Sequence, residues 1–257
     1  LSGNGGGTLF TFDGGSAEDL FGGSVSGAGD VNDDGTPDLI VGAINDDPNG
    51  PGSGSARVLS GNGGGTLFTF DGDDEFDRFG FSVSGAGDVN NDGFADLIVG
   101  ARIDDNNGRH SGSARVLSGN GGGTLFTFNG DDASDDFGFS VSGAGDVNND
   151  GFADLIVGAP GDDNNGRDSG SARVLSGIDG SILYTFAGDE ANDWFGSAVS
   201  GAGDVNGDGI PDFIVGAERG GLNGGGYARV FTSVPEPASA LLFAFVGSVL
   251  LARPRRC

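Results

Sequence analysis

Lysine and methionine are absent from the 257-residue chain, and cysteine, histidine and tryptophan occur once each, as Cys257, His110 and Trp194. A single cysteine at the C-terminal position gives no disulfide framework and no cysteine-based zinc site. With no Lys, one His and no Cys in the body, Schiff bases, His-metal centres and catalytic triads are excluded. Paired carboxylates remain open as a hydrolytic chemistry, because Asp is abundant, but an enzyme is not expected. The 12 basic residues, all Arg, face 38 acidic ones, for a formal charge of −26, so a phosphate backbone is a poor partner and nucleic acid is not expected. Helical periodicity is missing before residue 234, where Gly interrupts every window long enough to hold a helix.

What is present is repetition. The nonapeptide Asp88–Asp96, DVNNDGFAD, runs directly into Leu97, Ile98 and Val99, and related copies begin at Asp30, Asp146 and Asp204, always 58 residues on. Around this ruler each unit reads FG, SVSGAG, the acidic loop, DLIVGA, an Asn/Gly loop, SARVLSG, a Gly-rich turn and GTLFTF, which supplies four strand candidates. Phe79, Phe81 and Val83 alternate with small or polar residues, as half-buried strands do, and the Leu-Ile-Val run suits a strand covered on both faces. Self-similar units of this length with four short strands predict an all-β chain, a β-propeller in which each blade is covered by its neighbours.

The expected units are about 13–70, 71–128, 129–186 and 187–231, within a propeller region 1–231, followed by a linker and tail at 232–257. The last unit stops after Tyr227–Phe231 and lacks its GTLFTF strand, whereas residues 7–12 have that sequence. Residues 1–12 either complete the last blade, closing a ring of four, or belong to a larger array.

The acidic loop offers oxygen ligands at positions 1, 3, 5 and 9 with Gly at position 6 for a left-handed turn, which is how one short loop gathers a hard cation. Position 1 is Asp30, Asp88, Asp146 or Asp204, and position 3 is Asn32, Asn90, Asn148 or Asn206. Position 5 is Asp34, Asp92, Asp150 or Asp208, and position 9 is Asp38, Asp96, Asp154 or Asp212. Thr36, Phe94, Phe152 or Ile210 at position 7 is expected to contribute a backbone carbonyl, which tolerates any side chain. Up to four structural Ca²⁺ ions are expected, with affinities on the order of 0.1–1 mM, the extracellular class. An EF-hand is excluded because position 12 holds Val41, Val99, Val157 or Val215 in place of Glu. The competing reading is a plain Asp/Asn/Gly hairpin turn.

FG followed by a strand and GAGDVNxDGxxDLIVGA resembles the FG-GAP repeat of integrin alpha chains, over residues 1–231. The resemblance implies a propeller with a calcium ion in the loop between the first two strands of each blade, and ligands docking on the opposite face. Integrin propellers have more blades than the four units present here. On the opposite face the sequence places Asp73, Asp74, Glu75 and Asp77 with Asp104 and Asp105, and their equivalents Asp131, Asp132, Asp135 and Asp136 with Asp162 and Asp163. With Trp194 and Arg78, that face would receive a cationic or carbohydrate partner, or it is a solvated acidic surface. Arg57, Arg115, Arg173 and Arg229, at one phase of the repeat, read as structural ion-pair partners.

Composition changes at Val234, where Pro235, Glu236 and Pro237 precede the apolar stretch 238–252 and then Arg253, Arg255 and Arg256. As a helix this stretch would be about 22 Å long, against a hydrocarbon core of about 30 Å, and would span only with thinning or with snorkelling Arg. The arginines would stay cytoplasmic, with the propeller outside. VPEP, an apolar stretch and terminal Arg resemble the PEP-CTERM sorting signal of exported proteins in Gram-negative bacteria. That resemblance implies transient membrane anchoring through the helix and removal of the tail by an exosortase-type transpeptidase. The combined expectation is an exported, surface-associated calcium-binding propeller acting in adhesion or in an extracellular matrix. A lectin-like propeller acting on exopolysaccharide stands as the alternative.

Overall fold

The computed structural model describes residues 7–221 and 224–232. Fifteen strands follow one another without a helix among the described residues. The first sheet is a meander of β1 (Phe21–Gly29), β2 (Asp38–Ala43), β3 (Ser55–Leu59) and β4 (Thr66–Asp71). The second contains β5 (Ser82–Gly87), β6 (Asp96–Ala101), β7 (Ser113–Leu117) and β8 (Thr124–Asn129). The third contains β9 (Ser140–Gly145), β10 (Asp154–Ala159), β11 (Ser171–Leu175) and β12 (Ile182–Ala187). The fourth has three strands among the described residues, β13 (Phe195–Gly203), β14 (Asp212–Ala217) and β15 (Tyr227–Phe231). Within the sheets the strand pairings are antiparallel and between sequence neighbours, for example Val99 opposite Val83 on one side and Arg115 on the other.

The sheets stack in chain order through their first strands, β5 packing between β1 and β9, and β9 between β5 and β13. This is the β-propeller arrangement that the period implies, and β6 and β10 are buried along their whole length, as the Leu-Ile-Val runs require. Each core lies between two sheets. Val31, Ile40 and Val58 of the first unit meet Phe79, Val83 and Leu97 of the second, and the pattern recurs at the next two interfaces. Burying these side chains contributes about 1.5–3 kcal/mol for each large apolar residue, which no single sheet could obtain alone.

Glycine sets how closely the sheets approach. A Cβ on Gly42, Gly100 or Gly158 would fall 2.0 Å from the carbonyl oxygen of Gly80, Gly138 or Gly196 in the next unit, so the sheets touch backbone to backbone. Gly80, the glycine of FG, has φ +85°, and Arg78 before it φ +60°, so the chain at Phe79–Phe81 is not extended. β5 begins at Ser82, later than the alternation of Phe79, Phe81 and Val83 suggests, and Phe79 fills the core between sheets.

Residues 7–12 form no strand, and they lie beside the first unit. Phe10 and Phe12 approach Gly64 as Phe68 and Phe70 approach Gly122, so this segment does not complete the fourth sheet of its own chain. No packing comparable to that between consecutive units joins β1 to β13, and the four sheets form an open arc. Among the described residues no helix is long and apolar enough to cross a membrane, and the tail helix expected at 238–252 lies outside them.

Gly100→Ala is expected to lower stability by about 3 kcal/mol, because the added methyl overpacks a backbone contact. Gly65, around which a Cβ would meet nothing within 4 Å, should accept Ala with a change below about 0.5 kcal/mol. Urea unfolding of the two variants checks the difference.

Candidate metal centre

The four acidic loops connect the first and second strands of each unit, so the antiparallel meander brings all of them to one end of the stack. In the second unit Asp88 accepts from the N–H groups of Asp92 (3.0 Å) and Gly93 (2.9 Å), one on each carboxyl oxygen. Asn90 Oδ1 accepts from the same Asp92 N–H at 3.0 Å, and Asp92 accepts from the Phe94 N–H at 3.0 Å. Positions 1, 3 and 5 are thereby folded onto one another. The same bonds recur in the loops beginning at Asp30, Asp146 and Asp204. Position 4 (Asp33, Asn91, Asn149 and Gly207) also lies in the left-handed region, which accounts for the Asp, Asn and Gly found there.

Position 9 has a structural role as well. Asp38, Asp96, Asp154 and Asp212 are completely or almost completely buried. One carboxyl oxygen of each accepts from the N–H of position 2: Val31, Val89, Val147 or Val205, at 2.8–2.9 Å. In the first three units the other oxygen accepts from Gly61, Gly119 or Gly177, in the turn between the third and fourth strands. This link spans 23 residues and ties two connections together at the same end. Thr36, Phe94, Phe152 and Ile210 at position 7 enter the hydrogen-bond network through their N–H groups.

Burial pushes the Asp154 carboxyl up to about 6, and the charges of Asp150 and Asp146 add to the rise against the lowering effect of its backbone hydrogen bonds. Asp96 is raised by burial first and then by Asp92. Each loop thus concentrates like charge within interaction range and offers only oxygen donors, a set that fits a hard divalent cation. Among the described residues no three His, Cys, Asp or Glu side chains are already drawn into a metal-holding geometry, and the loop oxygens are engaged with main-chain N–H groups. Asp30, Asn32, Asp34 and Asp38, with their equivalents, are the residues that would hold the ion.

At the opposite end the expected acidic residues divide into two kinds. Asp19, Asp77, Asp135 and Asp193 are buried and close the turns before each FG: Asp77 accepts from the Asp74 N–H at 3.0 Å, and Asp135 from those of Asp131 and Asp132. Asp73, Asp131 and Asp189 pair with Arg115, Arg173 and Arg229, whose partnership the repeat phase predicts. Arg57 instead donates to the Asp13 carbonyl at 3.2 Å. The guanidinium groups of Arg57, Arg115 and Arg173 also lie over Phe21, Phe79 and Phe137, at 4.7, 4.6 and 5.3 Å. Trp194 carries Arg219 at 3.4 Å from its ring centre, and Arg102 covers Phe81 at 4.5 Å, contacts between residues far apart in sequence that no motif announces.

A family profile for the FG-GAP repeat matches residues 79–117, 137–175 and 195–231. These segments are FG-GAP repeats. The chain is 32% identical over 222 residues to integrin alpha-5 of Xenopus laevis and 30% identical over 214 residues to integrin alpha-V of Gallus gallus. Each match covers 78% of this chain and 20% of the relative, so the chain spans about a fifth of their length. Integrin alpha-11 of Homo sapiens is 37% identical over 146 residues, 51% of this chain and 12% of that protein. Together the repeats and these homologues support an integrin-like β-propeller. Among solved structures, the rhamnogalacturonan lyase YesW aligns over 74% of this chain and 40% of its own, with a TM-score of 0.44 and 18% identity.

The FG-GAP units make one pH dependence testable. Burial raises the Asp77 carboxyl to about 6, with the charges of Asp104, Asp74 and Asp73 adding to the rise and the Asp74 N–H opposing it. A carboxyl raised in the folded state stabilises the fold below its ordinary value of 3.8, and that contribution is lost as pH rises through about 6. Asp77→Asn keeps the acceptor for Asp74 without the buried charge. Its melting temperature is expected to exceed that of the parent at pH 7 and to converge with it near pH 4.

Proposed function

We propose that the chain is an exported, non-enzymatic adhesion or matrix module, a calcium-binding propeller that offers the end opposite its acidic loops to an extracellular protein or polysaccharide. The observation that carries this reading is the repetition of one oxygen-rich loop at the same end of all four units, with the Asp96 and Asp154 carboxyls held above the usual carboxylate range by burial and, further, by the neighbouring loop carboxylates. Such a loop is suited to being stiffened by a cation, and filling four of them would relieve part of the −26 formal charge. The resemblance to integrin alpha chains supports adhesion at a cell surface. Pro235, Glu236, Pro237, Arg253, Arg255 and Arg256 serve, in this reading, as a sorting signal that holds the chain in the membrane until an exosortase-type enzyme removes the tail.

Calorimetric titration of the chelator-treated chain with CaCl₂ should release or absorb heat with up to four sites filled. The melting temperature should rise with free calcium, each site adding about 2.7 kcal/mol when calcium reaches a hundredfold excess over its dissociation constant. Asp92→Ala should remove one site and leave the others. No heat and an unchanged melting temperature would exclude calcium as a ligand.

A further inference from the structure

The acidic loops touch one another through their main chains. Position 8 of a loop, the residue before the buried carboxylate, lies against the loop of the preceding unit. In the second unit Ala95 donates its N–H to the carbonyl oxygen of Asp30, at position 1 of the first loop, at 3.1 Å, and in the third Ala153 donates to that of Asp88 at 3.4 Å. In the fourth unit position 8 is Pro211, and proline has no N–H to donate. Packing at the same junctions is alike: a Cβ on Gly29 would fall 2.6 Å from the Ala95 Cβ, one on Gly87 2.8 Å from the Ala153 Cβ, and one on Gly145 2.9 Å from the Pro211 Cγ. The junction between the third and fourth loops therefore keeps this packing without the hydrogen bond.

A second contact runs the same way. Gly119, whose N–H is bonded to Asp96 at 2.9 Å, packs so closely on the first loop that a Cβ there would fall 3.2 Å from the Val31 carbonyl oxygen. Gly177, bonded to Asp154 at 3.0 Å, stands at 3.3 Å from the Val89 carbonyl oxygen by the same measure. Position 1 of one loop is thus bonded to the residue between positions 7 and 9 of the next. An ion that fixes Asp30 also fixes its carbonyl, and through Ala95 it restrains Phe94 and Asp96 before a second ion arrives. A site that is already ordered binds without that part of the ordering cost, and the effect is reciprocal.

We propose that calcium binds cooperatively to the first three loops, coupled through the Ala95–Asp30 and Ala153–Asp88 bonds, and that Pro211 leaves the fourth loop uncoupled from the third. The coupling presupposes the calcium-binding reading proposed above and concerns how occupancy of one loop sets that of the next. The net worth of one hydrogen bond corresponds to about two- to tenfold in affinity, and the shorter bond at the first junction couples more strongly than the second. Repulsion between neighbouring ions is common to all three junctions, so the difference between them isolates the bond.

Two forms of the full, chelator-treated chain each keep one pair of loops: Asp150→Ala with Asp208→Ala leaves the first and second, and Asp34→Ala with Asp92→Ala leaves the third and fourth. Calorimetric titration with CaCl₂ gives the ratio of second-ion to first-ion affinity for each pair. That ratio should be about two- to tenfold higher for the first pair. Adding Ala95→Pro should bring it down to the ratio of the other pair. This substitution copies Pro37 and Pro211, which two of the loops already carry at position 8, and circular dichroism checks that the strands are kept. Adding Pro211→Ala to the other pair should raise its ratio, and this arm decides alone if the Ala95→Pro protein loses its strand signal. Equal ratios in the two pairs, or ratios that neither substitution moves, would overturn the coupling and leave calcium binding standing. Absence of heat from both forms would overturn calcium binding itself, and the coupling with it.

Discussion

A buried carboxylate organises each unit. Asp38, Asp96, Asp154 and Asp212 end the acidic loop and begin the second strand, where exposure to water is at most 1%. Taking such a group out of water costs several kcal/mol unless its oxygens are satisfied. In the first three units both oxygens are met by main-chain N–H groups, one within the loop and one from the turn between the third and fourth strands. That turn in the second unit reaches back to the first, since a Cβ on Gly119 would fall 3.2 Å from the Val31 carbonyl oxygen. The loop, the central strand and the neighbouring unit are therefore positioned by one side chain, and the loop oxygens at positions 1, 3 and 5 are displayed on that fixed base.

The opposite end follows the same economy with different residues. Asp77 and Asp135 close turns, and Arg115 and Arg173 connect those turns to the third strand while lying over the phenylalanines of FG. With so much carboxylate used internally, the variation at this end is left to residues that differ between units. Arg78, Asp136 and Trp194 occupy one repeat position, each with positive φ, and present three unlike side chains there.

Much of this was legible in the sequence because the repeat is so regular. Four strands per unit follow from the spacing, and burial of both faces of β6 and β10 follows from their unbroken Leu-Ile-Val runs. The folding together of loop positions 1, 3 and 5 follows from oxygen acceptors at alternate positions. What was not legible depends on contacts that sequence similarity cannot rank. Asp96 looks like one more loop ligand, and its bond to Gly119, 23 residues on, is invisible in the motif. The slot taken by residues 8–12 was equally hidden: their sequence identifies an outer strand, but near-identical units offer chemically equivalent places for it. The left-handed residues Arg78 and Gly80 flank Phe79, which enters the core between sheets, a placement that alternation alone does not reveal.

We propose the loops at one end as cation sites built on a buried carboxylate. The most direct measurement is anomalous diffraction from crystals grown with calcium and then exchanged with a lanthanide. The account predicts an anomalous peak inside each acidic loop, within bonding distance of the oxygens of Asp88, Asn90, Asp92 and Asp96 in the second unit and of their equivalents elsewhere. Loops without peaks under saturating metal, or peaks confined to the acidic turns at the opposite end, would contradict it.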